Sequence, residues 1–240
     1  MDHLPPSHTD QPTGELPTGQ LPPKIIACDT LRDEVSRVAG DLEVEYCEGQ
    51  LHNYPERLRA ELNERIAATP GARTILLAYG RCSNGTAGLV AGPHRLVLPA
   101  VDDCIAILLG SRDEYLRQFT GCPGTYYYTR GWIEYIRDPY HEYLEMVPKY
   151  GEQKAREIAH LILAHYRRVA LVDTGTYDLA AYDPYLRTVC EFYDLPLEVL
   201  PGSLRLLEKL VGAPADDDEF ITVAPGDTLE ERLFWEASKG

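Results

Sequence analysis

The stretch 74–111, TILLAYGRCSNGTAGLVAGPHRLVLPAVDDCIAILLGS, decides the fold. Its two short apolar runs, 74–78 and 95–99, each read as a buried strand, and each is followed within a few residues by a cysteine, Cys82 and then Cys104. In an open α/β sheet, ligands bind beyond the strand ends from which the chain leaves. A third cysteine, Cys28, stands in the same relation to the run 24–27. Three strand-like segments therefore each deliver one thiol, and the thiols are expected to converge on one site.

A chain of 240 residues can bury a large core. Its net charge of -15, from 38 acidic against 23 basic residues, argues against a nucleic-acid surface, which needs clustered Lys and Arg. No apolar run approaches the roughly 20 residues that span a bilayer. The N-terminus lacks the basic start and apolar centre of a signal peptide. The expectation is a cytoplasmic protein without nucleic-acid or membrane partners. In such a compartment the six cysteines are better suited to metal or catalytic use than to disulfides. Cys47, Cys122 and Cys190 read as spare.

Residues 1–23, rich in Pro, Thr, Gln and Gly, have little to bury and read as a disordered tail. Residues 24–240 read as a single α/β domain with mostly parallel sheet flanked by helices. Strands are expected at 24–27, 42–46, 74–78, 95–99, 169–172, 197–200 and 220–223. Helices are expected at 31–38, 54–68, 104–119, 152–166, 185–193 and 204–211. The segment YPERLRAELNERIAA places Leu58, Leu62 and Ile66 at helical spacing. Between 121 and 143 a Tyr- and Trp-rich segment broken by Gly and Pro reads as a long loop or lid. The last third repeats the order of the first, which suggests two similar βαβαβ units, 24–92 and 168–229, around an insertion at 93–167.

Thiolate sulfur suits iron–sulfur clusters, zinc and other soft metals. Cys28, Cys82 and Cys104 could hold three corners of a cluster and leave one iron open as a Lewis acid. Zinc is the competing metal, with Asp102, Asp103, His94 or water as the fourth ligand. Asp103 is also a candidate general base or a helix N-cap. The Gly-rich turn has neither GxGxxG spacing nor a P-loop lysine. Its Gly80, Asn84 and Gly85 would let backbone N–H groups approach a cluster or anion, and Arg81 could pair with a carboxylate substrate. Tyr126 and Trp132 are candidates to close over a flat ligand. Asp173 ends a strand as Cys28 does and is a third candidate catalytic residue. His160 and His165, on a helical stretch, read as packing or solvent-facing, and no Ser-His-Asp triad is present.

LLAYGRCSNGTAGL, VLPAVDDCIAILLGSRDEY, PGTYYYTRGWIEY and LVDTG, occurring in this order, resemble the family catalogued as domain of unknown function 1638, over roughly 24–229. The resemblance implies a bacterial or archaeal protein whose genes often neighbour those of corrinoid-dependent methyl transfer. It gives no role to any residue. The resulting expectation is a metal- or iron–sulfur-dependent enzyme, a lyase or transferase, acting on a small molecule in one-carbon or methyl-group metabolism. The alternative is a non-catalytic accessory that binds a corrinoid protein or its cofactor.

Overall fold

A computed structural model describes residues 21–214 and 217–237. The expected tail lies outside the described residues up to 20. Strands β1 (Lys24–Cys28), β2 (Glu43–Cys47), β3 (Thr74–Ala78) and β4 (Arg95–Pro99) form a parallel sheet in the order β2-β1-β3-β4. Helices α1 (Arg32–Val38) and α2 (Pro55–Ala68) make the first two crossovers. Alternate residues of β1 face opposite ways, Ile25 and Ala27 into one core, Ile26 and Cys28 into the other. The second core is closed by Leu58, Leu62 and Ile66 of α2. Each of these side chains is at most 1% exposed, and burial of that kind contributes about 1.5–3 kcal/mol per residue.

The apolar run after Cys104 is two helices rather than one, α3 (Cys104–Leu109) and α4 (Arg112–Gly121). Gly110 breaks the run at φ 83°, a left-handed cap, and Ser111 Oγ restarts it by accepting from Glu114 N at 3.0 Å.

The aromatic segment is not a loop. It contains β5 (Thr125–Tyr128), α5 (Arg130–Tyr135) and the start of α6 (Pro139–Tyr150). A run of Thr and Tyr suits a pleated, half-buried surface, and the glycines that suggested irregularity serve close packing. A Cβ on Gly124 would stand 2.4 Å from His165 O, and one on Gly131 would stand 2.2 Å from Thr30 O.

After α7 (Glu152–Ile162) comes β6 (Arg168–Asp173), which pairs in parallel with β5 and with β7 (Leu197–Pro201) in a second, three-stranded sheet. Helix α8 (Asp183–Tyr193) makes the crossover. Tyr128, Val169, Leu171, Leu186 and Val189 lie in this sheet's own core, whereas Val172 joins the first sheet's core. Helix α9 (Arg205–Val211) also packs there, through Leu206, Leu207 and Leu210.

Two mostly parallel sheets flanked by helices are what the sequence predicts, but the second unit is not a copy of the first. Its last strand, β8 (Phe220–Val223), leaves the second sheet and pairs antiparallel with β4, from Leu96↔Val223 to Pro99↔Phe220. Helix α10 (Arg232–Ala237) follows. Among the described residues no helix is long and apolar enough to cross a membrane.

Candidate functional site

The order β2-β1-β3-β4 places a topological switch between β1 and β3, because the chain leaves β1 toward one edge and β3 toward the other. Diverging connections open a crevice at the carboxyl ends of such strands. Cys28 is the last residue of β1, Cys82 follows β3, and Cys104 begins α3 after β4. All three line one small cavity of about 20 Å³, with Thr30, Gly49, His52, Tyr79 and Trp132. The three strand ends thus meet at one cavity, while among the described residues no three His, Cys, Asp or Glu side chains are grouped to hold one metal ion.

Local structure explains how Cys82 reaches the others. Beyond β3 the chain stays paired with the segment after β4: Arg81 N donates to Val101 O at 2.8 Å and Cys82 N to Asp102 O at 2.9 Å. Gly80 permits this approach, since a Cβ there would stand 2.8 Å from both Asp103 N and Val101 O. Cys82, Ser83 and Asn84 then turn through the left-handed region, with φ of 48°, 54° and 67°. Gly85 closes the turn by donating to Cys82 O at 2.9 Å. A Cβ on Gly85 would press on Leu58 at 2.6 Å. Buried Thr86 locks the turn from below, donating to Gly80 O at 3.0 Å.

The cavity adjoins a cleft of about 550 Å³ lined by Arg81, Ser83, Asp102, Asp103, Tyr115 and Phe119, among others. His52, Cys82, Cys104 and Trp132 line both spaces. Trp132 arrives from the second sheet: Thr129 follows β5 directly and caps α5 by accepting from Trp132 N at 3.3 Å. The Trp132 indole N–H is directed at the Cys104 sulfur and the Tyr79 hydroxyl at that of Cys47, both weak acceptors.

Among the described residues all six cysteines are free. Burial pushes the thiols of Cys28, Cys82 and Cys104 upward. The neighbouring Cys28 and Asp103 add to the rise at Cys82, and Asp103 and the other two thiols add to it at Cys104. Thr30 Oγ1 donates to Cys28 Sγ at 3.1 Å and pulls that thiol partly back, as the Trp132 indole does at Cys104. Cys47, also buried, is pushed up to about 11 and does not line the cavity. Burial raises the Asp103 carboxyl too, although Asp103 Oδ1 accepts from Ile105 N at 2.9 Å as the cap of α3.

The other candidates fall on both sides of the cleft wall. Arg81 lines the cleft but is paired with Asp102 at 3.0 Å and lies over the Trp235 ring at 4.5 Å. Asn84 faces away from the thiols, its side chain donating to Glu231 at 3.0 Å. Tyr126 is not at the cleft; it packs on Tyr128 and Tyr166, with centroids 5.0 and 5.6 Å apart, because its strand belongs to the second sheet. Asp173 is not there either; it accepts from Gly175 N at 3.0 Å and shapes its own turn. His94 precedes β4, at the amino edge of the sheet, and so cannot serve as a fourth ligand. His160 stacks on Phe192 at 5.1 Å.

His52 is the residue that sequence reasoning missed. It lies in a short 3-10 segment, Gly49–Asn53, which gave no periodic signal. Its Nδ1 stands 2.7 Å from Gly49 O. A carbonyl can only accept, so Nδ1 carries a proton, and in the neutral ring Nε2 is the acceptor.

An α/β protein with a thiol-lined cavity at the switch point of its larger sheet, opening on an aromatic and acidic cleft, is the class that fold and site define. The chain matches the family described as protein of unknown function (DUF1638) over residues 46–211 and belongs to that family. The matched span includes Cys82, Cys104 and Trp132 and begins after Cys28. No curated protein and no solved structure matches the chain.

Proposed function

We propose that the chain is an enzyme of the lyase or transferase kind that transforms a small molecule in the cleft beside an iron–sulfur cluster held by Cys28, Cys82 and Cys104. The observation that supports it is the meeting of three thiols from three strand ends at one cavity shared with the cleft.

As placed, no group of three or more His, Cys, Asp or Glu side chains among the described residues could hold one metal ion, so the arrangement is a poor match to a mononuclear zinc site. A cluster offers separate iron atoms to separate thiolates, and its ligands need not meet at one point. The cavity of about 20 Å³ has room for little more than a water, so seating a cluster would require its Trp132 and His52 wall to part. When bound, a cluster with three protein thiolates leaves one iron to act as a Lewis acid.

The chain's own residues have separable roles in this reading. Asp102 holds Arg81 against the cleft wall, Trp132 and Tyr115 bound the substrate, and His52 Nε2 takes up a proton. A metal-independent nucleophilic cysteine is disfavoured, because such a thiol needs a lowered pKa and all three are raised by burial. One-carbon or methyl-group chemistry beside a corrinoid protein is the setting implied by the resemblance.

The accessory reading, docking on a corrinoid protein, has one observation in its favour. Leu144, Tyr150, Leu161 and Ile162 on α6 and α7 are exposed. Iron, zinc and acid-labile sulfide measured on anaerobically isolated protein, with pull-down of partners, test both. Stoichiometric iron and sulfide that vanish in Cys82→Ala support the enzyme; a metal-free, folded wild type that binds a corrinoid protein supports the accessory.

A further inference from the structure

We propose that the cleft takes an organic cation, a protonated or quaternary amine. This rests on the reading of the cleft as the substrate site and names the class of substrate.

Charge is the first argument. The charged residues lining the cleft are Arg81, Asp102 and Asp103. Arg81 is committed: it is 3.0 Å from Asp102, 3.9 Å from Glu231, and stacked over Trp235 at 4.5 Å. A carboxylate or phosphate entering the cleft would compete with these partners for the guanidinium and face the second carboxylate as well. The expectation that Arg81 binds an anionic substrate is thereby replaced by its opposite. The chain's net charge of -15 adds a long-range field of the same sign.

The aromatic lining is the second argument, and it is independent of the first. His52 and Trp132 stand with centroids 5.3 Å apart on one side, and Tyr115 and Phe119, 6.4 Å apart and stacked, lie on α4. Ring faces attract a cation, most strongly one with little hydration to lose, such as an alkylammonium. Leu116 and Phe119, both exposed, offer apolar contact to its alkyl groups.

Calorimetry and tryptophan fluorescence on the full chain, metal-loaded and metal-stripped, test the proposal with choline, its uncharged isostere 3,3-dimethyl-1-butanol, and acetate. Choline should bind at least about tenfold more tightly than the isostere, and acetate should be the weakest. Asp102→Asn releases Arg81 and should reverse the order of choline and acetate. Phe119→Leu, at an exposed position that folding does not depend on, should weaken choline about threefold and leave the isostere unchanged. Equal binding of choline and isostere, tighter binding of acetate, or no binding of choline overturns the proposal. Iron-loaded protein without a preference for charge defeats this inference alone; choline binding by a chain that never acquires iron defeats the cluster alone.

Discussion

Cys82, Ser83 and Asn84 hold a conformation that side chains disfavour by about 1–2 kcal/mol per residue. Strain of this kind persists where the surroundings over-determine it. Here Arg59 donates to Asn84 O at 2.9 Å and Gly85 donates to Cys82 O at 2.9 Å. Ser83→Gly should therefore stabilise the fold by up to about 1 kcal/mol in denaturant unfolding, and Ser83→Val should destabilise it; a stability loss in the glycine variant contradicts the strain. The thiols give a second prediction. An unfolded cysteine ionises near pH 8.5, whereas Cys28, Cys82 and Cys104 ionise higher when folded. Their contribution is fully present below the unfolded value and is lost as pH rises toward the folded ones. Metal-free protein should lose up to about 1.4 kcal/mol per pH unit per thiol above about pH 8.5. Urea midpoints from about pH 7 to about pH 10 check it: Cys28→Ser should flatten the fall, and a level wild-type profile refutes it. At this scale the cysteines were legible because strand ends carry them. His52 was not, since no spacing ties it to them, and Asp173 misled because a strand end in a second sheet looks the same in sequence.

Helix α5 couples the two sheets to the site. It begins at the end of β5 and lies against the 3-10 turn after Cys28, where Gly131 meets the backbone of Thr30. Gly131→Ala would place a methyl 2.2 Å from Thr30 O, and both neighbours are backbone, so neither yields cheaply. The expected loss is about 3 kcal/mol or more, with a red shift in the emission of Trp132 as its wall opens. A variant as stable as wild type would show that the contact is not needed. This element was hidden in sequence by its own glycines and prolines, which mark close packing and capping as readily as they mark loops. Asp138 is an instance: it accepts from Tyr140 N and His141 N at 3.0 and 2.9 Å to start α6, in a stretch whose prolines suggested a break. The strands preceding the cysteines, by contrast, were legible, β3 and β4 to the residue and β1 to within one, because short apolar runs between breakers leave few alternatives.

The whole molecule is two sheets sharing a layer of helices, and one buried carboxyl bridges them. Glu34 of α1, 2% exposed, accepts from Thr174 Oγ1 at 2.7 Å and Thr176 Oγ1 at 3.1 Å, beyond the end of β6. Burial raises its pKa, outweighing the pull of the two hydroxyls. Its contribution is then greatest at low pH and falls as pH rises through the raised value. Glu34→Gln, which keeps the acceptor and removes the charge, should match wild type at about pH 4 and exceed it at about pH 7; lower stability at neutral pH would show that the charge itself holds the sheets together. That the sheets are mostly parallel was legible, but the return of β8 to β4 was not, because nothing in a short apolar run states which sheet it joins or in which direction. The central claim, that thiols from three strand ends act together on one group, is tested most directly by iron and sulfide per chain, with visible absorption, in two anaerobically prepared triple variants. Serine at 28, 82 and 104 should abolish iron, sulfide and colour, while serine at 47, 122 and 190 should leave them at the wild-type level; equal content in the two, or none in the folded wild type, contradicts it.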